Sequence, residues 1–257
     1  MIRRLAATGR RLAATGSTGG CSGAFRRFSA ATELREYELK PSAAESFLHM
    51  ANSSADLRKQ LTPLRLFAMP DTGGQLNTAF HFYHHANLSA REDVFKGMGR
   101  HPQWLQFAKE CRPCCDKQSS SIYSEASFVA ESYGGMATER IDPSDGHAAL
   151  YELRRYRLVL GYDTVPRFIE HYSGGLHSKL QVSKDAGSRF CSLLYTEVGS
   201  LNEVIELWRH NGVAGLEQCR VLSRQSQLWK KAVGNIAPLA LSFTNTLLKP
   251  ASFSNWR

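Results

Sequence analysis

Three histidines in one predicted strand, His81, His84 and His85, are the side chains in this sequence best suited to bind a metal or transfer a proton. Side chains alternate across a strand, so His81 and His85 share one face and His84 lies on the other. Three ligands then do not converge on one ion without a bulge. The pattern therefore predicts no metal site here.

The six cysteines include the run Cys111-Arg-Pro-Cys114-Cys115, which has the CxxC spacing of a zinc or redox pair. No second CxxC and no histidine pair at zinc-finger spacing accompanies it. The adjacent proline favours the end of a helix with inert, reduced thiols. The sequence thus predicts neither a metal nor a cofactor.

A stretch that contains His81 occurs twice. Residues 74–83 read GQLNTAFHFY, and residues 199–208, 125 positions later, read GSLNEVIELW. Sliding residues 74–128 onto 199–253 without a gap gives ten identities in 55 positions, against about three expected by chance from typical composition. The segments LREYELK at 34–40 and LRRYRLV at 153–159 match more loosely. The chain is therefore predicted to be an internal duplication.

Each copy has the same predicted order of elements, β-α-β-β-α-β, which is the ferredoxin-like pattern. The fold class is predicted as α+β, with two tandem ferredoxin-like domains that pair their sheets within one chain to form a barrel. In the first copy Ser42 and Glu45, and Ser89 and Glu92, are spaced as capping boxes of its helices. The predicted boundaries are residues 33–130 for the first domain, 131–149 for a linker and 150–257 for the second domain.

Alternation in the third strand of each copy separates two sets of side chains. We expect the first set to lie under the helices: Leu76, Phe80 and Phe82, and in the second copy Leu201, Ile205 and Leu207. We expect the second set to face the other sheet inside the barrel: Asn77, Ala79, His81 and Tyr83, and in the second copy Asn202, Val204, Glu206 and Trp208.

His81 and Glu206 occupy equivalent positions, so a pseudo-twofold axis would bring imidazole and carboxylate into one interior. Such a pair could transfer protons, or it could be a structural hydrogen bond between sheets. Trp104 and Trp229 also match and are predicted to be core anchors. The chain contains no nucleophile elbow, P-loop, GxGxxG or HExxH motif.

The basic charge of the chain is concentrated at its start. Residues 1–32 hold six arginines and no acidic residue, which leaves 26 basic against 23 acidic residues from Glu33 onward. This composition predicts a mitochondrial transit peptide, with a disordered basic tail as the alternative. Because the remainder is nearly neutral, nucleic-acid binding is not predicted. The sequence has no run of 18 apolar residues, so no transmembrane helix is predicted.

Three segments carry a family resemblance: GGQLNTAFHFYHHANLSAREDVFKGMGRHPQWLQFAKECRPCCDKQSSSIY at 73–123, LLYTEVGSLNEVIELWRHNGVAGL at 193–216 and NTLLKPASFS at 245–254. They resemble the NIPSNAP family, and the resemblance covers about residues 33–257. It implies two NIPSNAP domains of the dimeric α+β barrel kind and residence in mitochondria. It further implies a role as an interaction protein in vesicular transport or mitochondrial quality control. No catalytic residue set comes with the family.

Two functional hypotheses follow. The first is a non-enzymatic protein of the mitochondrial matrix that acts through protein partners, and that could also form homo-oligomers. The second rests on fold analogy: a cofactor-free monooxygenase or a haem- or small-ligand-binding barrel. It would use residues inside the barrel, namely His81, Asn77, Tyr83, Glu206 and Trp208.

Overall fold

The computed structural model describes residues 30–142 and 148–257. Within these ranges the strands are β1 Ala31–Leu39, β2 Leu64–Thr72, β3 Thr78–His85, β4 Cys115–Glu125, β5 Ala149–Leu158, β6 Ser188–Val198, β7 Glu203–Asn211 and β8 Ala240–Pro250. The α-helices are α1 Ala44–Ser53, α2 Ala55–Leu61, α3 Leu88–Met98, α4 Pro102–Cys111, α5 Ser127–Tyr133, α6 Thr164–Asp185, α7 Gly212–Ser223 and α8 Gln227–Ile236. The predicted transit peptide falls outside the described residues, apart from residues 30–32.

The described strands close into one antiparallel barrel in the order β1-β3-β2-β8-β5-β7-β6-β4. Each copy contributes four neighbouring strands in the same relative order, β4-β1-β3-β2 and β8-β5-β7-β6. The copies join where β2 pairs with β8 and where β4 pairs with β6. The prediction that the two sheets pair within one chain is confirmed. Closure leaves none of the described strands with an unpaired edge, which explains why one copy needs the other.

The barrel interior is filled by side chains from both copies. Phe80 and Phe82 of β3 and Ile205 and Leu207 of β7 belong to the cluster that fills it. The predicted assignment of faces was therefore wrong, because these positions were expected under the helices. Leu76 and Leu201, assigned to the same set, are exposed in the hairpin turns. The alternation of side chains could not show which face points into the barrel, since both faces of β7 are buried throughout Glu203–His210.

The helices cover the outside of the barrel and form two separate clusters with it. In the first copy α1, α2 and α4 pack on Ala79 and Tyr83. In the second copy α6 and α8 pack on Val204 and Trp208. A break at Ser54 divides the first copy's long helix into α1 and α2, whereas α6 is continuous. Each copy thus has its own outer core, and each of these cores also includes residues of the other copy: Phe253 in the first, and Ala126 and Val129 in the second.

The helix starts differ in detail from the predicted capping boxes. A short 3-10 turn at Pro41–Ala43 precedes α1, and no side chain caps either element. At α3 the cap is Asn87, whose side-chain oxygen accepts from the backbone N–H of Ala90. Ser89 is already inside that helix. Asparagine is as good a cap as serine, and the chain uses the earlier residue.

The segment between the copies also packs against the barrel. The last strand of the first copy ends at Glu125, and α5 begins two residues later at Ser127. Met136 and Ile141 are buried in the interior cluster with Trp256, and Ile141 forms a parallel bridge with Trp256. No helix in residues 30–142 and 148–257 has the length and apolar character needed to cross a membrane.

Candidate functional site

The five residues of the hypothetical catalytic site do not come together. Asn77 lies in the turn before β3, where its carbonyl accepts from the N–H of Leu39. His81 and Tyr83 lie under the helices of the first copy, with 3.5 Å between the hydroxyl oxygen and Nδ1. Glu206 and Trp208 lie under the helices of the second copy. Because each strand turns these side chains outward, no His81–Glu206 pair forms inside the barrel.

The matching segments at 34–40 and 153–159 each follow a glutamate, and with that glutamate they form the charged centre of each copy. The motif is ELRxYxL, which occurs as ELREYEL at 33–39 and as ELRRYRL at 152–158. Arg35 lies opposite His81 in the register of β1 and β3, and Arg154 lies opposite Glu206 in the register of β5 and β7. The two motifs therefore hold equivalent places in the fold. Both Glu33 and Glu152 are buried. A buried carboxylate needs several donors, and each copy supplies them.

Glu33 is enclosed by donors from three elements. Its carboxylate accepts from Arg35 at 2.8 Å, from Arg91 at 2.8 and 3.0 Å and from the hydroxyl of Ser120 at 2.6 Å. Nε2 of His85 lies 3.5 Å away. Burial alone would raise the pKa of Glu33, but the His85 ring and the two guanidinium groups outweigh it and lower the pKa well below its usual range.

Glu152 has the same surroundings in the second copy. It accepts from Arg154 at 3.1 Å, from Arg220 at 2.7 Å and from the amide of Asn245 at 2.6 Å, and Nε2 of His210 lies 3.4 Å away. Burial opposes ionisation, yet these donors lower the pKa of Glu152 far below its usual range. The histidine that occurs in both copies, His85 in the first and His210 in the second, thus lies beside a buried carboxylate in each.

Glu206 is the centre of another buried cluster, which lies in the second copy. Its carboxylate accepts from Lys179 at 2.8 Å, Tyr172 at 2.7 Å and Tyr156 at 2.9 Å, and from the indole N–H of Trp208. Burial would raise the pKa of Glu206, but the Lys179 ammonium and the nearby Arg154 guanidinium overcome this and lower the pKa to about 2. The carboxylate is ionised and fully engaged.

Lys179 reaches Glu206 from α6 through an aromatic enclosure. Its Nζ lies 4.0 Å from the ring centroid of Trp208 and 4.5 Å from that of Trp229. The residue is 2 % exposed. Burial lowers the pKa of Lys179, and Glu206 partly offsets that effect. Trp229 is thus a core anchor, as predicted, and it also contributes a cation–π contact.

The first copy has the cation of this cluster without the carboxylate. Arg58 of α2 takes the place of Lys179, and its Nη1 donates to the hydroxyl of Tyr83 at 2.7 Å. Its guanidinium lies 5.2 Å from the ring centroids of both Trp104 and Phe107. His81 stands where the second copy has Glu206. No carboxylate of residues 30–142 and 148–257 forms an ion pair with Arg58.

Each cation lines a pocket between the sheet and the helices. The first pocket has a volume of about 280 Å³ and includes Arg58 and Trp104. The second has a volume of about 480 Å³ and includes Lys179 and Trp229. A concave site with apolar walls and a few charged groups is suited to a small ligand. The arrangement can bind an anion more readily than it can transfer a proton, because the buried carboxylates already have their donors.

The other candidates offer no metal-binding chemistry among the described residues. No group of three or more His, Cys, Asp or Glu side chains is arranged to hold an ion in residues 30–142 and 148–257. Cys111 ends α4, as the proline next to the motif indicated, and burial raises the pKa of its thiol to about 12. The cysteines at 111, 114, 115, 191 and 219 are free thiols.

Comparison with known proteins agrees with this fold. The NIPSNAP family model matches residues 32–130 and 151–255. Protein NipSnap homolog 3A from Homo sapiens and Protein NipSnap homolog 3B from Mus musculus are each 26% identical over 223 residues, covering 86% of this chain and 84% of those proteins.

Solved structures with the same fold include two bacterial proteins described as putative monooxygenases. The Fusobacterium nucleatum protein gives a TM-score of 0.61 at 8% identity, over 86% of this chain and 92% of its own. The Lactobacillus acidophilus protein gives 0.56 at 9% identity, over 86% of this chain and 94% of its own. At this identity the likeness shows the fold alone. The family model matches both copies of the repeat, and the chain belongs to the NIPSNAP family.

Proposed function

We propose that this chain is a non-catalytic mitochondrial protein that acts by binding protein partners, in vesicular transport or mitochondrial quality control. The observation that carries the proposal is an exposed apolar groove on the second copy. Leu160 is 86% exposed, Leu201 is 64% exposed and Tyr162 is fully exposed, and all three line this groove. Large apolar side chains clustered on a surface mark interaction sites.

The groove also indicates the chemistry of its partner. It has a volume of about 820 Å³ and is walled by Val165 and Ile169 of α6. Glu170 and Glu197 line it, and none of its lining residues is basic. A protein segment that carries apolar side chains next to lysine or arginine would match both features. We therefore expect a partner of that composition.

The absence of catalysis is proposed on two grounds. The interior, where related folds could hold a substrate, is filled by side chains from both copies. The buried carboxylates Glu33, Glu152 and Glu206 are held ionised by fixed cations, which makes them poor proton donors near neutral pH. Titration with haem or a quinol should leave the absorption spectrum unchanged, and a turnover-dependent change would refute this part of the proposal.

The test of partner binding is cross-linking of the folded protein in isolated mitochondria. The double variant Leu160→Ser/Tyr162→Ser should lose the partner that the wild type captures. Leu241→Ser is the matched control, because Leu241 is also exposed but lies on β8, outside the groove. Equal capture by the double variant, or capture only of a second copy of this chain, would overturn the proposal.

A further inference from the structure

We propose that the first-copy pocket binds the carboxylate of a small apolar acid, with Arg58 as its anchor. This site is independent of the partner groove and goes beyond the function proposed above. It rests on an internal comparison that the duplication provides. The two copies build the same pocket from equivalent elements, and they differ in how the buried cation is neutralised.

In the second copy the cation has its counter-ion within the chain. Lys179 pairs with Glu206 at 2.8 Å, and Tyr172 donates to the same carboxylate. In the first copy the positions equivalent to Lys179, Glu206 and Tyr172 are Arg58, His81 and Ala51, because the helix residues correspond at a spacing of 121 and the strand residues at a spacing of 125. The replacement of tyrosine by alanine removes a hydroxyl and a ring, and the replacement of glutamate by histidine removes the negative charge. The first copy therefore lacks the counter-ion that Lys179 has, and it also lacks a hydroxyl that holds that counter-ion in place.

His81 does not supply the missing charge. Burial, with the adjacent positive charges of Arg58 and Arg35, lowers its pKa well below the ordinary value, so the ring is neutral at physiological pH. Its Nδ1 lies 3.5 Å from the Tyr83 hydroxyl, and within residues 30–142 and 148–257 its Nε2 has no hydrogen-bond partner. The guanidinium of Arg58 is thus left with a tyrosine hydroxyl and aromatic rings as its neighbours.

Arg58 retains donor capacity for a ligand. The residue is 3 % exposed, and its Nε has no hydrogen-bond partner among the described residues. A buried charge without a counter-ion is strongly unfavourable, so a chain that keeps one has a group for an external anion to neutralise. The planar guanidinium presents its donors as a fork that matches a carboxylate. The unpartnered Nε is one member of that fork.

The rest of the pocket fits the same ligand. Arg58, Arg35 and Arg112 line it, and no acidic side chain in the described part of the chain does. Arg35 already pairs with Glu33, whereas Arg112 is exposed and has no such commitment among the described ion pairs. The apolar walls come from Phe47, Phe95, Met98, Trp104 and Phe107. A cavity of about 280 Å³ accommodates an aromatic or short aliphatic monocarboxylate and excludes larger cofactors.

The test is calorimetric titration of the folded protein with benzoate, phenylacetate and hexanoate. Benzyl alcohol serves as the uncharged analogue and inorganic phosphate as the anion without an apolar body. We expect saturable binding of at least one carboxylate and none of benzyl alcohol. The indole resonance of Trp104 should shift on binding while that of Trp229 stays in place, which assigns the signal to the first pocket.

Two variants separate charge recognition from folding. Arg58→Met keeps an unbranched apolar stem without the guanidinium and should weaken binding by at least about tenfold, because the buried anion loses its charged donor. His81→Glu keeps Arg58 and gives it an internal carboxylate, as in the second copy, so it should weaken binding similarly. His81→Gln is the neutral control at that position, and Arg224→Met is the control in the second pocket. Both controls should bind as the wild type does.

Several results would overturn the proposal. One is that no carboxylate binds at millimolar concentration. Another is that benzyl alcohol binds as tightly as the carboxylates, and a third is that His81→Glu binds them with wild-type affinity. Binding of phosphate alone would refute the assigned ligand class. None of these measurements depends on the Leu160 groove, so failure here leaves the partner-binding proposal standing.

Discussion

Replacing Glu206 by glutamine tests the energetics of the second copy most directly. The change keeps the shape of the side chain and removes its charge. The glutamine offers one acceptor oxygen and turns an NH₂ group toward the donors of Lys179, Tyr172 and Tyr156 that the carboxylate had satisfied. It also leaves the Lys179 ammonium buried without its counter-ion. Breaking a buried ion pair from one side typically costs about 3–5 kcal/mol.

The lowered pKa of Glu206 points to a loss of stability in the same direction. The pKa of Glu206 falls from 4.5 to about 2 on folding, which corresponds to about 3 kcal/mol of stability. Because the folded pKa is the lower one, this contribution is fully present above pH 4.5 and is lost as pH falls toward 2. A neutral glutamine resembles the protonated glutamate. The difference in stability between wild type and variant should therefore be largest near neutral pH and shrink between pH 4.5 and 2.

The assay is urea denaturation followed by tryptophan fluorescence, at pH 7 and at several values between 5 and 2. Glu217→Gln is the matched control, because Glu217 is exposed on α7 and the same change there should alter stability by less than about 0.5 kcal/mol. Adding Lys179→Met to Glu206→Gln should restore part of the loss by removing the uncompensated cation. A single variant within 1 kcal/mol of the wild type at pH 7, or a difference that does not depend on pH, would refute the reasoning.

Three further predictions concern other parts of the chain. Trp256→Ala should lower the free energy of unfolding by about 3–5 kcal/mol, because the ring is fully buried, stacks on Tyr151 and donates a hydrogen bond to the Thr138 carbonyl at 2.9 Å. Urea denaturation measures this loss, and a small effect would mean that the interior repacks. Asn202 has a φ of 55°, and its side-chain amide donates a hydrogen bond to the Val159 carbonyl. Asn202→Ala should therefore lower the melting temperature more than Asn202→Gly, because glycine adopts this φ without strain. Equal decreases in melting temperature would contradict this prediction. Residues 1–32 fused to a fluorescent reporter should direct it to mitochondria, and a diffuse cytosolic signal would refute the predicted transit peptide.

The fold could be predicted from the sequence to a large extent, because the evidence for it is local or repeated. The identities between residues 74–128 and 199–253 established the duplication, and the element order within each copy indicated the ferredoxin-like pattern. A sheet with one uncovered apolar face must bury it, and the other copy was the available cover. The barrel closure at β2–β8 and β4–β6 follows from that requirement.

The candidate sites could not be predicted in the same way. Arg58 and Lys179 correspond at a spacing of 121 residues, Glu33 and Glu152 at 119, and His81 and Glu206 at 125. A single ungapped comparison aligns only one of these pairs. The repeated ELRxYxL motif was visible in the sequence, and it would have identified Glu33 and Glu152 had the comparison been extended by one residue.

By itself the sequence determined that this protein is a duplicated α+β chain whose halves complete each other, because repetition and alternation are properties of residue order. Only the tertiary structure decided which face of each third strand points into the barrel. Both faces of β7 are buried, so hydrophobicity does not distinguish them. The side chains that point into the barrel interior are the purely apolar set. The other face carries the polar groups and packs against the helices that hold Arg58 and Lys179. A buried cation requires an acceptor or aromatic rings nearby, and that pairing of distant residues exists only in the folded chain.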